Sequence, residues 1–315
     1  MFDHRDTWRL QFRFMKASRG SVLRCSVALV VLSAACGAQT RPAITGIAFV
    51  RMFSANQAAS DGFYGKTLGF TKVVDAQGIA RYGVNDAQWL EVEGLPASAP
   101  ATRLPIVAFT TRDAAGMERY LAAHKVLVAG RLADGGFTVR DPEGNLIGFM
   151  QTGAMKGKLE MSPTASSRRI IHAGFVVNDR AVEDGFYREL LGFRTYWQGG
   201  QTDGRTDYMS LQVPDGVDWI EYMLNSGQKM DARQMGVMNH FSLGVAHMND
   251  AVAALARNGC GGADCSKTQM GRDGKVQLNL FDPDLTRVEF MEFLPSGAIC
   301  CTAFKGKHPG PDEVE

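Results

Sequence analysis

Four residues in the later half of this 315-residue chain have the types and the spacing for metal chemistry: His172 in RIIHAGFVV, Glu221 in DWIEYML, His240 in MNHFSLGV and Glu289 in TRVEFMEF. Each sits in a short apolar run that reads as a β-strand. His172 and Glu221 are 49 positions apart (221 − 172), and so are His240 and Glu289 (289 − 240). A histidine-then-carboxylate unit is therefore laid down twice. Imidazole nitrogen and carboxylate oxygen together suit a divalent ion such as Zn, Ni, Fe or Mn, and two carboxylates buried in strands without a cation carry a heavy desolvation cost. The reading is one divalent metal ion held by His172, Glu221, His240 and Glu289. Taken singly, each has an ordinary alternative, a hydrogen-bonded core histidine or a solvated strand glutamate; their matched places in two repeats carry the argument.

The pleat of a strand sharpens the set. Side chains two apart share a face, so Glu289 points with Met291 while Val288, Phe290 and Glu292 point the other way. Only one of the two glutamates can be a ligand. Glu289 lies seven after Asp282, where the first half has Gly148 seven after Asp141, and this offset selects Glu289. Glu292 is then a surface or interface carboxylate. His247, an odd number of positions from His240 and just before the MNDAVAAL helix, should face away from the metal. Tyr208, Trp219, Tyr222 and Met223 are candidates to line a pocket, with core packing as the default.

The elements that must position these residues are repeated too. DGFYGKTLGF at Asp61 to Phe70 returns as DGFYRELLGF at Asp184 to Phe193; in the later copy Val182, Phe186 and Leu190 recur every four residues on one helical face. Gly69 and Gly192 should stop these helices. QWLEVEG around Glu91 echoes DWIEYML, and DPEGNLIGFM from Asp141 echoes DPDLTRVEFM from Asp282, with Asp-Pro making a turn between strands. The chain reads as four modules of strand, helix and three strands. Its divisions fall at 1–40 (export segment), 41–153 (first half), 154–168 (a polar linker), 169–295 (second half) and 296–315 (a flexible tail, loose or lying along the surface).

The first half tests the metal reading by what it lacks. Alignment on the shared Phe49-Val50 and Phe175-Val176 dipeptides sets Gly46 against His172, Ile106 falls near His240 and Gly148 faces Glu289. Only Glu91 survives. One carboxylate holds no metal alone, so this half should be a non-catalytic copy.

Balanced acids and bases leave a net charge of +1 with no basic stripe, which argues against nucleic acid as a partner. Lys16, Arg19 and Arg24 precede an apolar run from Cys25 to Ala35, followed by small residues, the pattern of an export signal; Met15 is an alternative start to Met1. The protein is expected to be exported, periplasmic or secreted. LSAAC around Cys36 is close to a lipoprotein box, with Ser33 where a branched aliphatic is usual, so simple secretion and a lipid anchor at Cys36 stand as alternatives. Beyond it, Cys260, Cys265, Cys300 and Cys301 could form disulfides or remain free thiols. A zinc knuckle fits their spacing poorly, and adjacent Cys300 and Cys301 would be awkward partners for each other.

These features resemble the vicinal oxygen chelate superfamily, which includes glyoxalase I, methylmalonyl-CoA epimerase, fosfomycin resistance proteins and extradiol dioxygenases. The resemblance covers Ile44 to Leu294 and rests on the paired modules, LGF after each first helix, Asp-Pro before each last strand, and the His, Glu, His, Glu order. It implies an α+β fold of four βαβββ modules paired into two incomplete eight-stranded, glyoxalase-like barrels, with the metal on the inner floor of one. By analogy with bacterial glyoxalase I, the metal would bind two adjacent oxygens of a small-molecule substrate and stabilise an enediolate, with Glu289 or Glu221 as general base. The glutathione adduct of that enzyme is cytosolic, so the substrate here should differ. An extradiol-type dioxygenase is the alternative: an inactive first domain, with Fe(II) on His172, His240 and Glu289, though Glu221 would crowd an open position. A metal-dependent binding protein without turnover is a third.

Overall fold

The computed structural model describes residues 40–74, 77–98, 101–227 and 229–311. Residues 1–39, which carry the expected export signal with Met15 and Cys36, and the last residues 312–315 lie outside the described residues. The first half contributes β1 (Ile44–Ser54), β2 (Thr71–Val74), β3 (Ala80–Gly83), β4 (Trp89–Gly94), β5 (Ile106–Thr111), β6 (Val128–Arg131), β7 (Phe137–Arg140) and β8 (Leu146–Gln151). The second contributes β9 (Ile170–Val176), β10 (Arg194–Gly199), β11 (Tyr208–Gln212), β12 (Trp219–Met223), β13 (His240–Val245), β14 (Thr268–Met270), β15 (Val276–Phe281) and β16 (Arg287–Glu292). They form two eight-stranded mixed sheets, in the orders β2, β3, β4, β1, β5, β8, β7, β6 and β10, β11, β12, β9, β13, β16, β15, β14. This is the α+β, glyoxalase-like architecture of four βαβββ modules. In each module the last strand runs parallel beside the first, and the two modules of a sheet join through antiparallel first strands, β1 with β5 and β9 with β13.

The helices between strands are short. α1 (Gln57–Ser60) is started by the Asn56 side chain, which accepts from Ala59 N–H, and it continues through Asp61–Thr67 with hydrogen bonds that reach five residues back, Leu68 N to Phe63 O at 2.8 Å. α2 (Ala114–Ala123) is a regular helix started by Asp113, whose side chain accepts from Gly116 N–H, while α3 (Arg180–Asp184) widens as α1 does, through Gly185–Leu190, ending with Leu191 N on Phe186 O at 3.0 Å. The widened turn shifts the phase of the helix face. Val182, expected on the apolar stripe with Phe186 and Leu190, is exposed, while Phe186 and Tyr187 are buried. Gly69 and Gly192 close the two helices at φ +78° and +79°, the left-handed backbone that other residues resist.

The echoed motifs lock the halves together. Tyr64 of the first DGFY donates to Asp282 of the second Asp-Pro turn at 2.7 Å, and Tyr187 of the second DGFY donates to Asp141 of the first at 3.1 Å. Each half supplies the hydroxyl that satisfies the other's buried carboxylate. Between the halves, Ser166 bonds Leu68 O through both its N–H and its hydroxyl, and the Ser167 hydroxyl donates to Gly244 O. Beyond Pro295 the chain follows the second sheet: Lys305 N–H donates to Tyr196 O, Gln212 Nε2 to Lys307 O and Arg169 to Gly310 O, and the Phe304 ring lies 4.8 Å from that of Tyr196.

Cys260 pairs with Cys265, and Cys300 pairs with its neighbour Cys301. The second pairing corrects the expectation that adjacent cysteines would be awkward partners. Cys301 takes φ +75°, a turn that lets the two side chains meet. With the sulfurs bonded to each other, no thiolates are left for a zinc knuckle.

Candidate metal centre

The ladder register assembles the site. His172 on β9, Ser242 on β13 and Glu289 on β16 lie on one rung, and Glu221 on β12, Gly174 on β9 and His240 on β13 lie on the next. Side chains of one strand two apart share a face, so all four candidates project from the same side of the sheet. That side is the concave one: Glu221 and Glu289 line a cavity of about 340 Å³ together with Trp197, Tyr208, Arg287 and Met291. The opposite side, with Ala173, Phe241, Leu243, Val288 and Phe290, is core.

Three of the four converge. His172 Nε2 lies 3.1 Å from His240 Nε2 and 3.2 Å from Glu289 Oε2, and one donor atom from each of these residues lies within 4.8 Å of the others. Ligands bound at about 2.0–2.1 Å and set near right angles around one ion are roughly 3 Å apart. Glu221 approaches from the side of His240, its Oε2 3.5 Å from His240 Nε2, with the Ser210 hydroxyl hydrogen-bonded to the carboxyl. Its side chain keeps 15 % exposure, whereas both histidines are fully buried.

The protonation pattern fits a cation. His240 Nδ1 faces the Met238 carbonyl at 2.9 Å; a carbonyl only accepts, so Nδ1 carries the hydrogen and Nε2 turns its lone pair toward His172 and Glu289. Burial lowers the pKa of both histidines, that of His240 further because Arg287 and His172 add positive charge nearby. Burial alone would raise Glu289, but its contact with His172 and the charge of Arg287 outweigh that and hold it at about 2. Glu221 goes the other way, raised to about 8 by burial and by the charge of Glu289. Two neutral imidazoles and an anionic carboxylate thus converge, the donor set a divalent ion takes.

Supporting residues hold the ligands in place. Trp219 stacks on His172 with ring centroids 4.7 Å apart and planes 28° from parallel. Gly174 makes room for His240: a Cβ there would lie 2.1 Å from its Cε1. α4 (Ala232–Met238), an element the sequence pattern had not marked, supplies the Met238 carbonyl and cavity wall. Gly174 had a readable signal, since a glycine inside a strand marks a close approach; Arg287 and Met238 had none. Of the other candidates, Met223 and Tyr208 line the cavity while Trp219 and Tyr222 are buried. His247 is exposed at the start of α5 (Met248–Arg257), and Glu292 accepts from Met248 N–H at 2.8 Å.

The equivalent place in the first half is filled differently, and it corrects one alignment. Phe49 pairs with Trp89 across β1 and β4 as His172 pairs with Trp219, and their rings stack at 4.9 Å and 27°. Phe49, not Gly46, therefore stands opposite His172; the 123-residue offset between the two DGFY copies (184 − 61) gives the same register. Arg51 occupies the place of Gly174, and Ile106 that of His240. Gly148 stands where Glu289 does, with space so tight that a Cβ would lie 2.7 Å from Ala108 Cβ. Glu91 is neutralised by Arg51 at 2.6 Å and Arg81 at 3.0 Å, and accepts from Trp89 Nε1. Two guanidinium groups take the place of a metal.

Residues 169–290 match the family model described as Glyoxalase/Bleomycin resistance protein/Dioxygenase superfamily. No curated protein matches the chain in sequence. Among solved structures, the 2,3-dioxygenase LapB from Pseudomonas sp. KL28 superposes with a TM-score of 0.60 at 16 % identity, over 87 % of this chain and 96 % of that one. Homoprotocatechuate 2,3-dioxygenase from Brevibacterium fuscum, in an anaerobic complex with 3,4-dihydroxyphenylacetate, gives 0.62 at 18 % identity over 88 % and 85 %. The homoprotocatechuate 2,3-dioxygenase of Arthrobacter globiformis gives 0.61 at 17 % over 87 % and 84 %. The match to that superfamily's model covers residues 169–290, and the chain as a whole has the vicinal oxygen chelate fold of these structures.

Proposed function

We propose that this is an exported, metal-dependent enzyme acting on a small molecule with two adjacent oxygens, in which His172, His240 and Glu289 hold one divalent ion and Glu221 moves a proton. The observation that carries the reading is the convergence of those three donors beside a cavity, with Glu221 set to one side. Three protein ligands leave coordination positions for a chelating substrate. A bound ion would act as a Lewis acid on both substrate oxygens.

The two glutamates divide the work that the sequence left to either. Glu289, held at about 2, is a poor proton acceptor and a good ligand. Glu221, raised to about 8 and partly exposed in the cavity, exchanges a proton near neutral pH with a substrate hydroxyl or an adjacent carbon. Trp197, Met223, Met238 and Met291 give the cavity apolar walls. Two disulfides fit the oxidising compartment to which the export segment would deliver the chain.

The reaction we favour is ring-opening oxygenation of a catechol. The compact His, His, Glu triad and an arginine-filled first domain support it, as do the neighbours, whose names describe 2,3-dioxygenases, one in complex with a dihydroxyphenylacetate. Proton transfer through an enediolate is the second reading, favoured by a carboxylate at Glu221. Oxygen electrode measurements on Fe(II)-loaded protein decide between them: catechol-dependent uptake, lost in Glu221→Gln, supports the first, while metal-dependent turnover of a 2-hydroxycarbonyl substrate without oxygen uptake supports the second. Neither activity in metal-loaded protein would overturn the proposal.

A further inference from the structure

Arg287 is a charged group in the cavity to which the proposed reaction gives no contact with substrate, beyond the charge it lends to Glu289 and His240. It lies on β16 two residues before Glu289, on the same face, and lines the cavity wall. The arginines of the first half spend their guanidinium groups on Glu91 at 2.6–3.0 Å. Arg287 does not do this: its ion-pair contact, to Glu289 Oε1, is 3.7 Å, beyond hydrogen-bond reach, and its buried Nε has no hydrogen-bond partner among the described residues. Its side chain is 14 % exposed and forms part of the cavity wall, within reach of a ligand there.

The other charged groups around the cavity cancel in pairs. Arg272 is bonded to Asp203, and Lys275, beneath the floor with its Nζ over the Tyr196 and Trp219 rings, lies beside Asp273 in charge as in sequence. A divalent ion and Arg287 together exceed the negative charge of Glu289, and still exceed it with Glu221 ionised. A chelating substrate bound as a monoanion, with its proton on Glu221, would still leave one positive charge beside Arg287 uncompensated in a partly dry site.

We infer that Arg287 is a specificity-determining residue that selects substrates bearing a carboxylate in addition to the two adjacent oxygens. Guanidinium meets carboxylate as a two-pronged donor, which fixes orientation as well as charge. The ligand class is thus a small acid with a vicinal dioxygen group, its oxygens toward His172, His240 and Glu289 and its carboxylate toward Arg287. The inference rests on the metal-site reading above.

The test is calorimetric binding under argon, using full-length protein loaded with Fe(II), of protocatechuate and of catechol, which differ by the carboxylate. Metal content is measured in each variant. The wild type should bind the acid roughly 10- to 100-fold more tightly, the range for a hydrogen bond between charged groups. Arg287→Gln should lose that preference while keeping its iron and its affinity for catechol, and Arg287→Lys should restore part of it. A wild type that does not distinguish the two ligands, an Arg287→Gln protein that still does, or one that has lost its iron overturns the inference. If neither ligand binds iron-loaded wild type, the reading of the site as a vicinal-oxygen centre falls first, and this inference with it.

Discussion

Gly174→Ala is the smallest change that tests how the centre is built. The added methyl would lie 2.1 Å from His240 Cε1, 2.6 Å from Nδ1 and 3.0 Å from Nε2. Ordinary contact begins at 3.4 Å, so the ring must retreat by about 1.3 Å, the difference between the two distances. Ligand positions tolerate roughly 0.2 Å. The ring cannot simply pivot away, because Nδ1 is tied to the Met238 carbonyl and the imidazole is fully buried. Overpacking of this kind costs about 1–3 kcal/mol of stability, which a folded domain of this size survives. Metal affinity should fall by more than the roughly 10- to 100-fold typical of a lost supporting contact. Competition titration with a chromophoric chelator gives the affinity, and circular dichroism melting confirms folding. A Gly174→Ala protein that binds metal as the wild type does would refute the geometry proposed for His240.

Other outcomes follow from neighbouring parts of the structure. Arg51→Ala removes one of two cations from buried Glu91 and should lower stability by about 3 kcal/mol in chemical denaturation, with the metal content of the second half unchanged. Glu183, buried where the halves meet, is raised to about 8 by burial and by Asp141. Folded protein then keeps a proton that unfolded chain releases above its ordinary value of 4.5, so stability is lost as pH rises from 4.5 toward 8. Glu183→Gln should therefore match the wild type in Tm at pH 4 and exceed it above pH 8; equal Tm at both would show that Glu183 is not held protonated. Tyr64→Phe should leave buried Asp282 short of a donor and lower Tm, with no effect on metal binding.

The four candidate residues could be read from sequence because two constraints coincide on them. A repeat fixed equivalent positions, and the pleat of each strand fixed which neighbours share a face, as with Glu289 against Glu292. The four modules follow from the same repeat, and their pairing into two sheets from the family resemblance. What the sequence left obscure depends on contacts between segments distant in the chain. A local dipeptide match sets Gly46 opposite His172, whereas cross-strand pairing with Trp89 assigns that place to Phe49. An ideal helix period puts Val182 on a buried stripe, and the widened turn breaks that period. The pairing of Cys300 with Cys301 depends on one left-handed residue, which spacing does not reveal. Arg287 looks like any strand arginine until its neighbours are known.

Elemental analysis of purified wild-type protein beside His240→Ala shows whether His172, His240 and Glu289 hold a metal ion. One divalent ion per chain is expected in the wild type and near-complete loss in the variant, with both proteins folded. Equal metal content in the two, or a wild type that takes up no divalent ion when one is supplied, would contradict that assignment.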